Sequence, residues 1–580
     1  MEGLELTVLL GVSILAGTLL APKLRLATPL VLLIIGLALG FVPALRGVEL
    51  PPETVLLLFL PVMLFWESLT TSLRAVRRSL RYIVPMSTLL VVASAFAVAG
   101  IAAAMGVPWE AALLLGAAVA PPDATAVAAL GRLLPARTFM KLKAESLTND
   151  GTALVLYAIA LSLALGGQIT PWSVTLTVLV SYVGGAAAGI VVAAAAYLLL
   201  RRLSGTLAIN LTLLLVPFTA FLIAELIDAS GVLAVVFAGI IVAWVSPRVT
   251  TASSRRQADA AWPLGVYLLN GALFVLIGLE VQHVVHEISP AQIGWLSLVT
   301  VGAWLALLVV RYLFQLLFAP FSRPPAGAAA GPRHRSRLVS TVAGFRGAVS
   351  LAIALSVPTV TAAGAPLDGR DAVVFVTAGV IVLSLLVQGP LLVGVVRWAR
   401  LPQDDADLDE IEIAQRAISA AALAALDDLA LEHGISDDVR DRARRDGYEH
   451  LELANARALE RQRQTLLNRE IAELEIVIAT TDDDAVRADT STTSFVAPSG
   501  AAAAAPLEML ASSTDVDVAQ RSPIVRFDEA SRLRLALLGR KREVLLRLRR
   551  EGTIDDLVAR RLQSGLDLEE LRLDGARAPR

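Results

Sequence analysis

Apolar residues fill the first 400 positions in blocks of about 20, and beyond residue 400 the pattern changes to dense charge at helical spacing. About 20 apolar residues suffice for a helix to cross a hydrocarbon core. That measure predicts thirteen spans, near 4–22, 28–45, 51–72, 82–105, 109–130, 143–166, 172–200, 205–227, 231–246, 260–281, 290–320, 338–360 and 372–396. The opening MEGLEL carries acids and no basic region, so the first block reads as an uncleaved anchor with its N-terminus outside.

The loops orient the spans. Lys23, Arg25, Arg74, Arg77, Arg78, Arg81, Arg132, Arg137, Lys141, Lys143, Arg201, Arg202, Arg248, Arg255, Arg256, Arg323, Arg333, Arg335, Arg337, Arg397 and Arg400 fall in one alternate set of loops. The opposite set holds only Arg46 and Arg370. This bias predicts that the first set, and with it the C-terminal region, is cytoplasmic. The expected domains are a transmembrane domain over 1–400 and a mostly helical cytoplasmic domain over 401–580. Within the latter, an Ala-, Ser-, Thr- and Asp-rich linker is expected near 484–522.

Composition narrows the chemistry. Hydrophobic residues make up 56% of the 580 positions, above the roughly 45–50% of a soluble domain. The absence of cysteine excludes disulfides and thiol chemistry, and five scattered histidines argue against a histidine metal cluster. No Gly-rich phosphate loop with a lysine is present, so nothing suggests ATP as a driver or any resident cofactor. The net charge of −2 gives no reason to expect nucleic acid.

Against that background a few ionisable residues stand out, because each is expensive in hydrocarbon. Asp123 in AVAPPDATAV and Asp150 in ESLTNDGTALVLY lie roughly 10–12 Å from the cytoplasmic face at 1.5 Å per residue. Glu67 in FLPVMLFWESL and Arg346 in TVAGFRGAVSLA reach a similar depth. Pro121 and Pro122 supply no amide hydrogens, and Gly344 and Gly347 flank Arg346, so the fifth and twelfth spans are predicted to be interrupted. Two interrupted spans of opposite direction are the mark of an inverted-repeat secondary transporter with its site near the midplane. Asp150 reads as functional, with neutral Asn149 beside it. Asp123 reads as ligand or helix cap, Glu67 as ligand or interfacial residue, and Ser146 and Thr125 as oxygen ligands or backbone-bonded hydroxyls. Glu145 and Arg346 read as a structural ion pair, since a lone charge in lipid needs a partner. An intramembrane aspartyl protease also uses two carboxylates in lipid, but the sequence has no GxGD-like element. A channel would need a selectivity loop, and none is visible, whereas the long C-terminal tail leaves sensing open as an added role.

FLPVMLFWESL, VAPPDATAVAALGRLLP, KAESLTNDGTALVLY and GFRGAVSLAIALSVP, in this order, resemble the sodium/proton exchanger branch of the monovalent cation:proton antiporters over about residues 5–400. The stretch LLRLRREGTIDDLVARRLQSGLDLEELRL resembles the tail of a bacterial subgroup. The resemblance implies an all-α polytopic fold of thirteen transmembrane helices with inverted repeats, assembled as a homodimer in the cell membrane. It implies secondary exchange of Na+, or alternatively K+ or Li+, for H+. It places the alternately protonated and cation-bound aspartate on Asp150 beside Asn149. Further cation ligands fall on Ser146 and Glu67, the unwound-helix aspartate on Asp123, and the supporting pair on Glu145 and Arg346. Some relatives carry a threonine where this chain has Pro122, so only the backbone carbonyl is available there.

Overall fold

The computed structural model describes residues 2–24, 26–42, 52–123, 134, 136–167, 170–318, 333–358, 360, 367–400, 406–480 and 523–577. Thr125, the loop bases Arg25, Arg46, Arg132 and Arg323, and the expected 484–522 linker lie outside these residues. The architecture is all-α. The described residues form two compact units, Met1–Asp405 with Asp555–Leu557, and Ala406–Ile554 with Val558–Arg580.

The first unit comprises α1 (Glu2–Leu24), α2 (Thr28–Leu39), α3 (Pro52–Leu69), α4 (Leu73–Ser87), α5 (Leu89–Ala104), α6 (Trp109–Val119) and α7 (Ala136–Ala164). It continues with α8 (Pro171–Leu200), α9 (Thr206–Glu225), α10 (Gly231–Val249), α11 (Ala252–Glu287) and α12 (Pro290–Leu317). Short helices α13 (Arg333–Val342) and α14 (Ala348–Leu355) precede α15 (Arg370–Ala399). Among the described residues nine helical stretches are long and apolar enough to cross a bilayer, and three shorter apolar helices accompany them. Leu4, Trp172, Leu207 and Leu317 point outward and are more than two-thirds exposed. In water that surface would be costly; against acyl chains it is the expected lining.

Two apolar cores hold this unit. One gathers α5, α6, α7, α12, α14 and α15 around Leu114, Val299, Leu351 and Ile381. The other packs Leu60 and Phe65 of α3 against α8, α9 and α10. Since lipid offers no hydrophobic gain for helix association, close contact must come from small residues. Gly36 of α2 and Gly278 of α11 meet backbone to backbone, with no room for a Cβ on either.

The expected spans and the observed helices differ in instructive ways. The bases Arg74, Arg77 and Arg81, read as loop residues, lie in α4, which breaks at Thr88 shortly after Pro85. Arg255 and Arg256 likewise belong to the first turns of α11, capped by Thr251 Oγ1 accepting from the Ser254 amide at 3.2 Å. Positive loop charge thus sits on helical extensions, because nothing in arginine disfavours a helix. The spans expected near 109–130 and 338–360 are not continuous helices: α6 ends at Val119, and residues 343–347 separate α13 from α14. Single π turns, Val180–Gly184 and Ser384–Gln388, interrupt α8 and α15.

The second unit comprises α16 (Ala406–Ala424), α17 (Leu426–Glu432), α18 (Asp437–Thr480), α19 (Pro523–Glu551) and α20 (Asp556–Arg577), of which α16, α19 and α20 pack through Ile418, Leu538, Leu545 and Val558. A smaller cluster joins Ala430, Val439 and Leu533. Ser436, at the start of α18, donates its amide to buried Glu529 of α19 at 3.1 Å, so a side chain from another helix caps this end.

Candidate functional site

Where α6 stops, the chain has no amide hydrogen at Pro121 or Pro122 and must satisfy its backbone otherwise. The amide of Asp123 donates to the carbonyl of Phe345 at 2.8 Å, which lies in the interruption between α13 and α14. The two broken segments therefore cross and hydrogen-bond to each other. On the Asp123 side, the carboxylate lies directly over Gly347, and any Cβ there would overlap it. On the other side, the Arg346 amide approaches Ser384 Oγ of the α15 π turn at 3.4 Å.

α7 supplies the wall of the crossing. Residues 146, 149 and 150 follow one another at helical spacing, so Ser146, Asn149 and Asp150 share a face. All three are buried, with Asn149 fully so. The Asn149 side-chain amide donates to the Pro122 carbonyl at 2.8 Å. That bond ties the non-helical segment before Asp123 to α7. The other atom of the amide, Oδ1, is buried and has no hydrogen-bond partner among the described residues. Asp150 has Asp123 and Glu67 as charged neighbours, and Glu67 in turn has Asp123 and Lys143. Three carboxylates from α3, α7 and the first crossing segment thus share one electrostatic neighbourhood. Two residues beyond Asp150, Thr152 Oγ1 donates to the Ser87 carbonyl at 2.7 Å and meets the Tyr182 hydroxyl at 2.6 Å, bracing α7 against the α4–α5 break.

The expected ion pair between Glu145 and Arg346 is corrected by the structure. Glu145 is held by Arg311 of α12 in a two-pronged pair, Nη1 to Oε1 at 2.6 Å and Nη2 to Oε2 at 3.1 Å. Arg311 Nε adds a bond to the Ser340 carbonyl at 3.0 Å, and Gln315 donates to Ser340 Oγ at 3.0 Å. Both carboxylate oxygens are therefore engaged by one planar guanidinium, which suits that geometry well. Arg346 is equally buried, yet its Nε and Nη1 have no partner among the described residues. It lines a small pocket with Trp304, Arg311, Gly344 and Gln388. Arg311 is not among the residues singled out from the sequence as a partner for Glu145. The depth count applied to Arg346 would have found it, since Arg311 lies six residues before α12 ends at Leu317.

The expected cation ligands Asp150, Ser146 and Glu67 sit in the neighbourhood just described. Among the described residues no group of three or more His, Cys, Asp or Glu side chains converges as a metal site. A mixed set of carboxylate, hydroxyl, amide and carbonyl oxygens is of a different kind, made of the oxygen donors that hard cations take.

Helices broken where they cross, buried carboxylates beside the crossing and an apolar exterior fit a protein that sits in a membrane. The profile of the family "Sodium/hydrogen exchanger, transmembrane" matches residues 10–398, and the chain belongs to that family. It is 37% identical over 587 residues to a Mycobacterium tuberculosis protein called an uncharacterized Na+/H+ exchanger, covering 98% of this chain and 96% of that one. It is 28% identical over 435 residues to a sodium, potassium, lithium and rubidium/H+ antiporter of Bacillus pumilus, covering 71% of this chain and 63% of that one. Its fold is similar to the solved sodium proton antiporter MjNhaP1 of Methanocaldococcus jannaschii, with a TM-score of 0.51 and 18% identity, covering 68% of this chain and 99% of that chain.

Proposed function

We propose that the protein exchanges one monovalent cation, sodium in the first place, for one proton by alternating access, with Asp150 as the shared site. The carrying observation is the placement of buried Asp150 on α7 beside the crossing, with Asn149 fixed to the Pro122 carbonyl. A carboxylate there is neutralised equally by a proton or by Na+, so either occupant lowers the cost of moving the site through a low-dielectric region. Ser146, Asn149 Oδ1, Glu67 and Asp123 are the oxygens proposed to complete the cation shell. Glu145 is proposed as support through Arg311, and Arg346 as the positive charge of the second crossing segment. Potassium is the alternative cargo, suggested by the breadth of ions in the name of the Bacillus pumilus relative. The cytoplasmic C-terminal domain, an outside N-terminus and a homodimer in the cell membrane belong to the same proposal.

Asn149 bears on stoichiometry. One titrating carboxylate exchanges one proton for one cation and moves no net charge, whereas a net charge moved through 100 mV involves about 2.3 kcal/mol. In proteoliposomes Asp150→Asn should stay folded and lose sodium-driven proton flux entirely. The wild-type rate in a sodium assay at fixed pH should not change when a membrane potential is imposed. Persistent flux in Asp150→Asn would remove the site; strong voltage dependence would remove the one-proton cycle.

A further inference from the structure

Lys143 entered the sequence reading only as one of many loop bases. In the structure it lies in the second turn of α7, on the face that carries Ser146 and Asp150 three and seven residues further on. Its ammonium donates to Thr70 Oγ1, just past the end of α3, at 2.6 Å. Thr70 itself donates to the Trp66 carbonyl at 2.8 Å and is also within reach of the Glu67 carbonyl at 3.2 Å, so the acceptor is fixed on the last turn of α3. Lys143 is also the positive neighbour of Glu67. The lysine thus bridges the C-terminal end of α3 and the early turns of α7.

We infer that Lys143 sets the apparent affinity for the transported cation, as a tethered positive charge beside Glu67 that opposes a second cation. This rests on the proposal that the cation is bound at Asp150 and Glu67. The physical basis is simple. An ammonium is a compact charge on a flexible stem, and its repulsion of a nearby cation is strengthened where water is partly excluded. The hydrogen bond to Thr70 is one contact that holds the charge at the end of α3. Two substitutions therefore act in opposite directions. Removing the charge relieves the repulsion, whereas removing the Thr70 hydroxyl takes away one contact at the end of α3 and lets the ammonium lean further toward Glu67.

The test is sodium/proton exchange by the full-length protein in proteoliposomes, with sodium varied on the side facing the basic loops. Lys143→Gln should lower the KM for sodium by about three- to tenfold, the range of a single screened charge a few ångströms from the path, with the maximal rate within about twofold. Thr70→Val should raise the KM, and Lys143→Arg should keep it high because charge is retained. A role confined to packing would move the maximal rate or the folded yield and leave the KM of every variant at the wild-type value. The inference is overturned if Lys143→Gln leaves the KM unaltered, if Lys143→Arg lowers it as much as Lys143→Gln, or if Thr70→Val lowers it. Asp150→Asn in the same assay separates the two levels. If that variant still exchanges, the site itself is misplaced; if it is dead while the KM order fails, only the role of Lys143 falls.

Discussion

The two units of this chain use charge in opposite ways. In the first, Glu145 and Arg311 are 1% and 3% exposed and meet in a two-pronged pair, with Ser340 taking the remaining Nε. In the second, Arg440 and Asp437 meet at 2.8 Å with exposures of 30% and 83%, on a helix lined with other charges. The bond lengths are nearly the same and the energetics are not. A solvated pair replaces water with a partner at little net gain. A buried pair has already lost its water, so either member left alone is a desolvated charge. Distance alone says little about what an ion pair contributes; the medium around it decides.

This contrast can be tested from its strongest end downward. Arg311→Ala should be the most damaging change, costing about 3–5 kcal/mol by stranding Glu145 and showing as loss of monodisperse protein in detergent. Replacing both members, Glu145→Leu with Arg311→Leu, should recover much of that yield, because no charge is then left buried. Arg346→Ala should reduce yield less than Arg311→Ala, and equal loss would restore the pairing expected from sequence. Gly347→Ala comes next, with about 1–3 kcal/mol from forcing a methyl into the Asp123 carboxylate, read as a lower melting temperature together with impaired exchange. Arg440→Ala in the second unit should change stability by about 0.5 kcal/mol or less, within the scatter of a melting curve. A large effect there would mean that the solvated pairs act as a network.

Much of this was legible in the chain because lipid makes the sequence explicit. The apolar blocks located the helices, and the cost of buried charge singled out Glu67, Asp123, Glu145, Asp150 and Arg346. The breaks were readable from Pro121–Pro122 and from Gly344 and Gly347, since missing amides and missing side chains act locally. What the sequence did not reveal was partnership across distance. That Arg311 rather than Arg346 takes Glu145 depends on how α7, α12 and α13 pack, and residues far apart in the chain carry no local signal of contact. The bond from Asn149 to the Pro122 carbonyl was half visible. The proline implied a carbonyl in need of a donor, but which donor arrives is set by the crossing. Helix ends were misjudged where arginines continue a helix beyond the apolar block, as in α4 and α11.

The pairing of Glu145 with Arg311 has a consequence for how the protein is made. The two residues are 166 positions apart, and the chain emerges from its N-terminus. Glu145 is therefore threaded into the bilayer with α7 well before its countercharge on α12 has been synthesised. The same is true of Asp123, whose amide acceptor at Phe345 comes later still. During that interval the nascent protein holds Glu145 in the membrane without its guanidinium, where a carboxyl is better tolerated neutral than charged. A chain stopped after α11 would hold every residue of the α7 face and none of the groups that make Glu145 tolerable. Such a fragment should be handled by the cell as a misassembled product, so the last third of the membrane unit is a condition for the first two-thirds to survive.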